Sequence, residues 1–254
     1  MSNAKVALIL AAGNGSRLAA CSGELPKPLV PLDGKPLLEH VLSAAREAGI
    51  EKFVIVVGYR GDKIREWYDK SPFAGVDVAW VENPDYRKKS NGVSALCAKD
   101  LIHEPFLLLM ADHIFEPATA AALLRQPLGR DEVILAVDRK IKSVFDLDDA
   151  TKVKIEGDHI VEIGKNLKRY NALDTGMFLC QPVLFDRLES AMIDGDCSLS
   201  DGMRAMGQNR SFKGFDIGGA SWQDVDTPAA LDYVQRSSVI HLWPMQQAAR
   251  PAYA

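Results

Sequence analysis

Residues Val6-Ala7-Leu8-Ile9-Leu10-Ala11-Ala12 form an unbroken apolar run that stops at Gly13. A run this short with no polar side chain leaves no face for water. It reads as a strand buried on both faces, the kind a parallel sheet contains. Parallel strands need crossover connections, and the sequence supplies them. Pro36 to Ala48 reads as a helix: Pro36 suits the first helical position, Leu37, Leu38, Val41, Leu42 and Ala45 make one apolar stripe, and Gly49 ends it. Phe53 to Val57 is a second buried strand, followed by a helix from Asp62 to Asp69 and a strand from Val76 to Val81. A helix over Gly92 to Ile102 precedes the most apolar strand, Phe106 to Ala111, and Val133 to Val137 adds another. The alternation predicts an α/β fold built on crossover helices.

The second half has a different pattern. Lys152 to Glu156 and His159 to Ile163 alternate polar and apolar residues around Gly157-Asp158, which predicts a hairpin with one wet face. Met177 to Cys180 and Phe212 to Ile217 read as strands, and Pro228 to Arg236 as a closing helix. With no repeat and no Pro/Gly/Ser linker, residues 1–254 read as one domain with an ordered core of about 4–240, and Met245 to Ala254 as poorly ordered. The net charge of −4 gives a general nucleic-acid-binding role little support. Four cysteines, Cys21, Cys97, Cys180 and Cys197, form no CxxC pair, which argues against a structural zinc site and for a reducing cytoplasm. No signal peptide and no span of about 18 apolar residues is visible.

The buried first strand runs into Gly13-Asn14-Gly15-Ser16-Arg17, and Lys27 follows about ten residues on. Paired glycines let the backbone approach a ligand, and successive N–H groups cradle phosphate oxygens. Arg17 adds a forked cation and Lys27 a point charge. The plain alternative is a glycine turn with two solvated cations. A dinucleotide loop would carry a third glycine, where residue 18 is Leu, and a P-loop would carry Gly-Lys-Ser/Thr. The full pattern, LILAAGNGSRL followed by PKPLVPLDGKPLLEH, resembles the signature of the sugar-phosphate nucleotidyltransferases. The resemblance extends from Val6 to about Tyr233 and is nearest to the inositol-1-phosphate cytidylyltransferases. It implies a Rossmann-like, GT-A-like α/β fold with a mixed, mainly parallel sheet flanked by helices. It also implies that Leu10, Ala11, Ala12, Gly13, Asn14, Gly15 and Ser16 line the nucleotide site, with Arg17 and Lys27 on the triphosphate.

Asp112 directly follows the strand Phe106 to Ala111, at the carboxyl end where open α/β sheets bind ligands. It suits Mg²⁺, or else a turn. In Asp224-Val225-Asp226-Thr227-Pro228, Asp226 stands beside a helix start and has a structural alternative. The resemblance makes Asp112 and Asp226 the metal pair, with Asp112 also on the nucleotide and Asp224 behind them. Asn91, Gly92 and Ser94 open a predicted helix; they either cap it or meet a base, and the resemblance places the nucleobase here. It places Lys165 on the acceptor phosphate, with Asp174 and Gly176 in the acceptor pocket. The segments EIGKN, DTG and SLSDG carry the likeness to the inositol-phosphate group.

The implied activity is Mg²⁺-dependent transfer of CMP from CTP to a phosphorylated alcohol, foremost inositol 1-phosphate, with release of pyrophosphate. Sugar 1-phosphates, phosphocholine, 2-aminoethylphosphonate and other NTPs are alternatives. A glycosyltransferase would carry Asp-x-Asp where this chain has Asp112-His113-Ile114, and a non-catalytic nucleotide sensor would need neither metal pair nor Lys165. A homodimer, and coupling or fusion to a membrane-embedded phosphotransferase, are compatible partners.

Overall fold

The computed structural model describes residues 4–18, 23 and 25–237. Cys21, residues 238–240 and the tail Met245 to Ala254 therefore lie outside the described residues. Strand β1 (Val6–Ala11) is buried at every position. Ala7, Ile9 and Ala11 enter one core, while Val6, Leu8 and Leu10 enter another on the opposite face. This two-sided burial explains the absence of polar side chains in the run.

After the short antiparallel pair β2 (Pro31–Leu32) and β3 (Lys35–Pro36), helix α1 covers Leu37–Glu47. Pro36 is one residue earlier than expected in its role: it pairs with Pro31 and only flanks the helix. Gly49 ends α1 as expected, at φ +107°. Its N–H donates to Arg46 O and that of Ile50 to Ala45 O, the paired bonds of a Schellman stop.

There follow β4 (Lys52–Val57), α2 (Gly61–Asp69), β5 (Asp77–Glu82), α3 (Asn91–Leu96), β6 (Phe106–Met110), β7 (His113–Phe115), α4 (Pro117–Leu124) and β8 (Val133–Asp138). The second half holds β9 (Lys152–Glu156), β10 (His159–Gly164), β11 (Ala172–Cys180), α5 (Val183–Ser190), α6 (Leu199–Gln208), β12 (Phe212–Asp216), β13 (Trp222–Asp224) and α7 (Pro228–Arg236). The predicted helix over Gly92 to Ile102 is shorter: α3 stops at Leu96, and a 3₁₀ turn spans Lys99–Leu101. There Ala98 and Leu101 donate three residues back, to Ala95 and Ala98, which tightens the chain toward β6.

One nine-stranded sheet runs through both halves in the order β5-β4-β1-β6-β11-β8-β12-β10-β9. Neighbours from β5 to β6 pair parallel, and so do β8 and β12. Only β11 and β10 run against the rest, which makes the sheet mixed and mainly parallel. Buried residues of α1, α2 and α4 fill the core on one face; those of α3, α5 and α6 fill the core on the other. A third, small core joins Leu18, Val30, Leu32, Leu37, Ile114, Val225 and Val234.

Gly92 sits in the first turn of α3, and the close approach it permits is internal. A Cβ there would lie 2.6 Å from the carbonyl oxygen and 2.9 Å from the Sγ of Cys197. Gly92→Ala is expected to destabilise the fold by about 1–3 kcal/mol through overpacking. Denaturant melts should show a lower midpoint at unchanged slope. An unchanged midpoint would mean that α3 shifts freely away from residue 197.

Candidate active site

The two carboxylate segments are joined by a two-stranded ribbon. In antiparallel register, Trp222 faces Phe115, Gln223 faces Ile114 and Asp224 faces His113. One step on, Val225 N–H donates to Asp112 O at 3.0 Å. The ladder leaves Asp112, Asp224 and Asp226 together at the carboxyl end of β6. Thr227 caps α7 by accepting from Ala230 N–H, so Asp226 is not consumed as the helix cap.

The glycine loop leads to the same place. Ser16–Leu18 is a single 3₁₀ turn, anchored by the fully buried Leu18. Gly15, at φ +60°, leaves no room for a Cβ, which would sit 2.4 Å from Lys27 Cβ. That packing brings Lys27 inward, only 8% exposed. Its ammonium contacts both Asp112 and Asp226 and lies 3.9 Å from Asp224 Oδ1. Arg17 contacts Asp226 and donates to Asp149 Oδ2 at 2.7 Å. Leu10, Ala11 and Ala12 are buried, whereas Gly13, Asn14 and Ser16 face solvent, with open space where a Gly13 Cβ would be. Only backbone from the first group, and both backbone and side chains from the second, can meet a ligand.

A cleft of about 250 Å³ opens beside these groups. Lys165, at the end of the β9–β10 hairpin, lines it and donates to Asp149 Oδ1 at 2.8 Å. Asp174 and Gly176 line it too, where β11 breaks register with β8. Asp174 accepts the Gly176 N–H at 2.7 Å, and Gly176 stands at φ +75°. A Cβ at Gly176 would strike the His113 ring at 2.4 Å. His113 in turn stacks on Trp222 at 6.1 Å, and the Trp222 indole donates to the buried Asp138 at 2.9 Å.

The candidate base-binding residues divide. Asn91 lines the cleft, but its Oδ1 accepts the Leu199 N–H at 2.9 Å and so ties α3 to α6. Ser94 is turned into the core, where it accepts from Asn83 Nδ2 at 2.9 Å. Gly92 packs on Cys197. Neither Asn91 nor Ser94 caps α3, which Ser90 precedes without a side-chain cap. Gly92 and Ser94 thus hold the wall, and Asn91 alone of the three reaches the cleft.

Six carboxylates line the cleft: Asp112, Asp146, Asp149, Asp174, Asp224 and Asp226. Burial alone would raise Asp112, but Lys27 and His113 hold it well below the usual carboxylate range. Burial also works against the His113 imidazolium, yet Asp224 and then Asp112 raise it to about 9. Asp174 is pushed up by burial to about 6, against the opposing pull of the Gly176 N–H and His113. Burial likewise raises Asp224, aided by Asp112. Asp224 Oδ1 is buried without a hydrogen-bond partner. One oxygen each of Asp149, Asp224 and Asp226 fall within 4.8 Å of one another, as do ligand atoms of Asp112, His113 and Asp224. An oxygen-rich donor set in charge excess, with one orphaned oxygen, fits a hard divalent cation.

A family model described as a MobA-like NTP transferase domain matches residues 7–208. The chain belongs to that family. This MobA-like transferase is 39% identical over 227 residues to a "Bifunctional IPC transferase and DIPP synthase" of Rubrobacter xylanophilus, covering 89% of this chain and 50% of that one. It is 33% identical to the protein of the same description from Thermococcus kodakarensis, over 92% of this chain and 50% of the other. The chain thus spans about half the length of these curated relatives. Among solved structures, the inositol-1-phosphate CTP transferase from T. maritima superposes with a TM-score of 0.82 at 27% identity, covering 91% of this chain and 93% of that one. A UDP-glucose pyrophosphorylase shares the fold, with a TM-score of 0.76 at 19% identity and coverage of 91% and 97%. The transferase is therefore a nucleotidyltransferase with the Rossmann-like mixed sheet that its sequence implied.

Asp149 escaped the sequence reading. It lies in a segment rich in aspartate, Asp146-Leu147-Asp148-Asp149, where nothing local sets one acid apart from the next. The His113–Trp222–Asp138 stack was equally silent, because its members are far apart in the chain.

The imidazole of His113 offers a direct test. Its folded value of about 9 exceeds the 6.5 of the free side chain, so folding favours the protonated form. That stabilisation is complete below pH 6.5 and is lost as pH rises through about 9. Carbon-bound proton NMR of the metal-free, ligand-free protein should titrate His113 near 9, and Asp224→Asn should lower the midpoint. A wild-type midpoint near 6.5, indifferent to Asp224→Asn, would contradict this charge arrangement.

Proposed function

We propose that this MobA-like NTP transferase moves CMP from CTP to inositol 1-phosphate, forming a CDP-alcohol and releasing pyrophosphate. The observation that carries the reaction type is the convergence of cations from two separate elements beside one acidic cleft. Arg17 and Lys27 stand by the glycine loop, and Lys165 stands on the hairpin. Such a site suits two phosphates that must be brought together. The choice of CTP and inositol 1-phosphate follows the descriptions of the similar proteins.

In this reading the exposed backbone of Gly13 to Ser16 and the Arg17 fork hold the triphosphate. Lys165 meets the acceptor phosphate and offsets repulsion between the two anions, while Asp174 and the Gly176 backbone face the acceptor body. An acceptor phosphate oxygen attacks the α-phosphorus in line, and pyrophosphate leaves. No covalent enzyme intermediate is needed, since orientation and fixed charges supply the catalysis. Asp112 and Asp226, with Asp224 beside them, would hold Mg²⁺, which supplies Lewis-acid neutralisation of phosphate charge when bound. Lys27 balances the same carboxylates in the ligand-free protein. A cytoplasmic site, and coupling to a membrane-embedded phosphotransferase that consumes the product, belong to the same proposal. Among the described residues no helix is long and apolar enough to cross a membrane.

A pyrophosphate-release matrix tests the substrates: four NTPs against inositol 1-phosphate, phosphocholine, 2-aminoethylphosphonate and hexose 1-phosphates. CTP with inositol 1-phosphate is expected to give the highest kcat/KM. A higher value with another NTP or acceptor reassigns that substrate. CTP binding without turnover across the matrix would make the protein a sensor. Release of free nucleoside diphosphate from an added nucleotide-sugar donor, with no pyrophosphate released from any NTP, would make it a glycosyltransferase.

The carboxylates have a separate test. Asp112→Asn and Asp226→Asn are each expected to lower kcat by about a hundredfold or more, a loss of about 3 kcal/mol, with the fold retained by circular dichroism. Unchanged turnover in both at saturating Mg²⁺ would remove them from the metal site.

A further inference from the structure

Arg17 and Lys165, the cations assigned above to two different substrates, hold the same carboxylate. Arg17 donates to Asp149 Oδ2 at 2.7 Å and Lys165 to Asp149 Oδ1 at 2.8 Å. One carboxylate therefore spans both posts with its two oxygens, as a substrate phosphate would. The pairs are strong enough to hold the Asp149 carboxyl at about 2, against its partial burial.

Asp149 belongs to a strap, residues 139–151, that connects β8 to β9 and forms one side of the cleft. Val144, Phe145, Asp146, Asp149, Ala150 and Thr151 all line the cavity. The strap is fastened elsewhere too, with Lys152 Nζ donating to Asp148 O and the Asp174 N–H to Thr151 O. Phe145 stacks on Tyr233 of α7 with ring centroids 4.6 Å apart. At its base, Lys140 Nζ donates to Gly218 O and Ala220 O. Asp149 is the point at which the strap touches the substrate-binding cations.

We propose that Asp149 is a built-in competitor for substrate phosphate, carried by the strap and displaced when either substrate binds. The inference rests on the phosphate roles of Arg17 and Lys165 proposed above. An incoming phosphate takes the cation and also repels the Asp149 carboxylate, so the strap must give way. Until then the carboxylate keeps two long side chains extended toward the cleft. It also sets a threshold, because a stray anion must outcompete a carboxylate already in place. Asp226 competes for Arg17 as well, but it makes no pair with Lys165, so Asp149 is the group common to both substrates.

Calorimetric titration of the full chain in Mg²⁺ with CTP alone and with inositol 1-phosphate alone, so that no transfer occurs, tests the proposal. Asp149→Asn is expected to tighten both ligands by about two- to fivefold, the scale of a partly exposed ion pair. Asp146→Asn removes the same charge from the same cleft; Asp146 favours the Arg17 charge from a distance but pairs with neither cation, so this change should affect binding distinctly less. In a Lys165→Ala background the gain for inositol 1-phosphate should vanish while the gain for CTP persists; in an Arg17→Ala background the reverse should hold.

The proposal is overturned if Asp149→Asn weakens either ligand, which would make Asp149 a ligand post in its own right. Equal effects from Asp146→Asn, or gains that survive loss of the partner cation, would reduce it to general charge relief and overturn it too. Wild-type protein that binds no CTP overturns the functional reading and this proposal together. Wild-type binding of both ligands with no response to Asp149→Asn overturns the proposal alone.

Discussion

The short ladder between His113–Phe115 and Trp222–Asp224 is the bond on which the site depends. It joins residues more than a hundred positions apart and fixes their register. A one-residue slip would exchange the faces of the ribbon and point Asp224 away from His113. With the register as it stands, three aspartates converge on one end of the sheet. The cost of gathering like charges is offset by Lys27, whose ammonium contacts two of them. Lys27 can enter only because Gly15 has no side chain. The glycine loop thus serves the carboxylates before it serves any nucleotide.

Charge alternates through the site from Lys165 to Asp149, Arg17, Asp226, Lys27, Asp112 and His113. Arg17 and Lys27 each lie between acids from different elements and Lys165 ends the string, which ties the hairpin, the strap, the loop and the ribbon together. Such a string has no spare cation of its own to neutralise an arriving phosphate. Added phosphate must either displace an acid or bring positive charge with it. Asp149, held by two of the cations, is the acid placed for the first route, while the acid excess of the cleft and the orphaned oxygen of Asp224 fit the second.

Much of the fold was legible in order along the chain. Strands buried on both faces announce themselves as apolar runs, and β1, β4, β6 and β8 each stand within two residues of their expected limits. Elements whose burial is shared with a distant partner were not legible. The ribbon strands are three residues each, too short for any period to show. Helix α4 is apolar on nearly all sides, so it has no stripe. The start of α6 was visible as SLSDG, but as a likeness rather than as physics. It is a capping box, in which Ser198 and Asp201 bond each other's backbone N–H.

The site followed the same rule. Arg17, Lys27, Asp112, Asp226, Lys165, Asp174 and Gly176 all reach one neighbourhood, as the resemblance implied. Gly92 and Ser94 went to packing, a role no single sequence distinguishes from ligand contact. Asp149 was hidden by its neighbours, since one aspartate among several carries no local mark of its partners. The small core beneath the glycine loop has a consequence in time. Leu18 packs in one cluster with Val225 and Val234, which are made more than two hundred residues later. At the growing rate of a ribosome, tens of seconds separate the two events. During translation the glycine loop waits for its floor, and it is completed only when the segment that carries Val225 and Val234 has followed it.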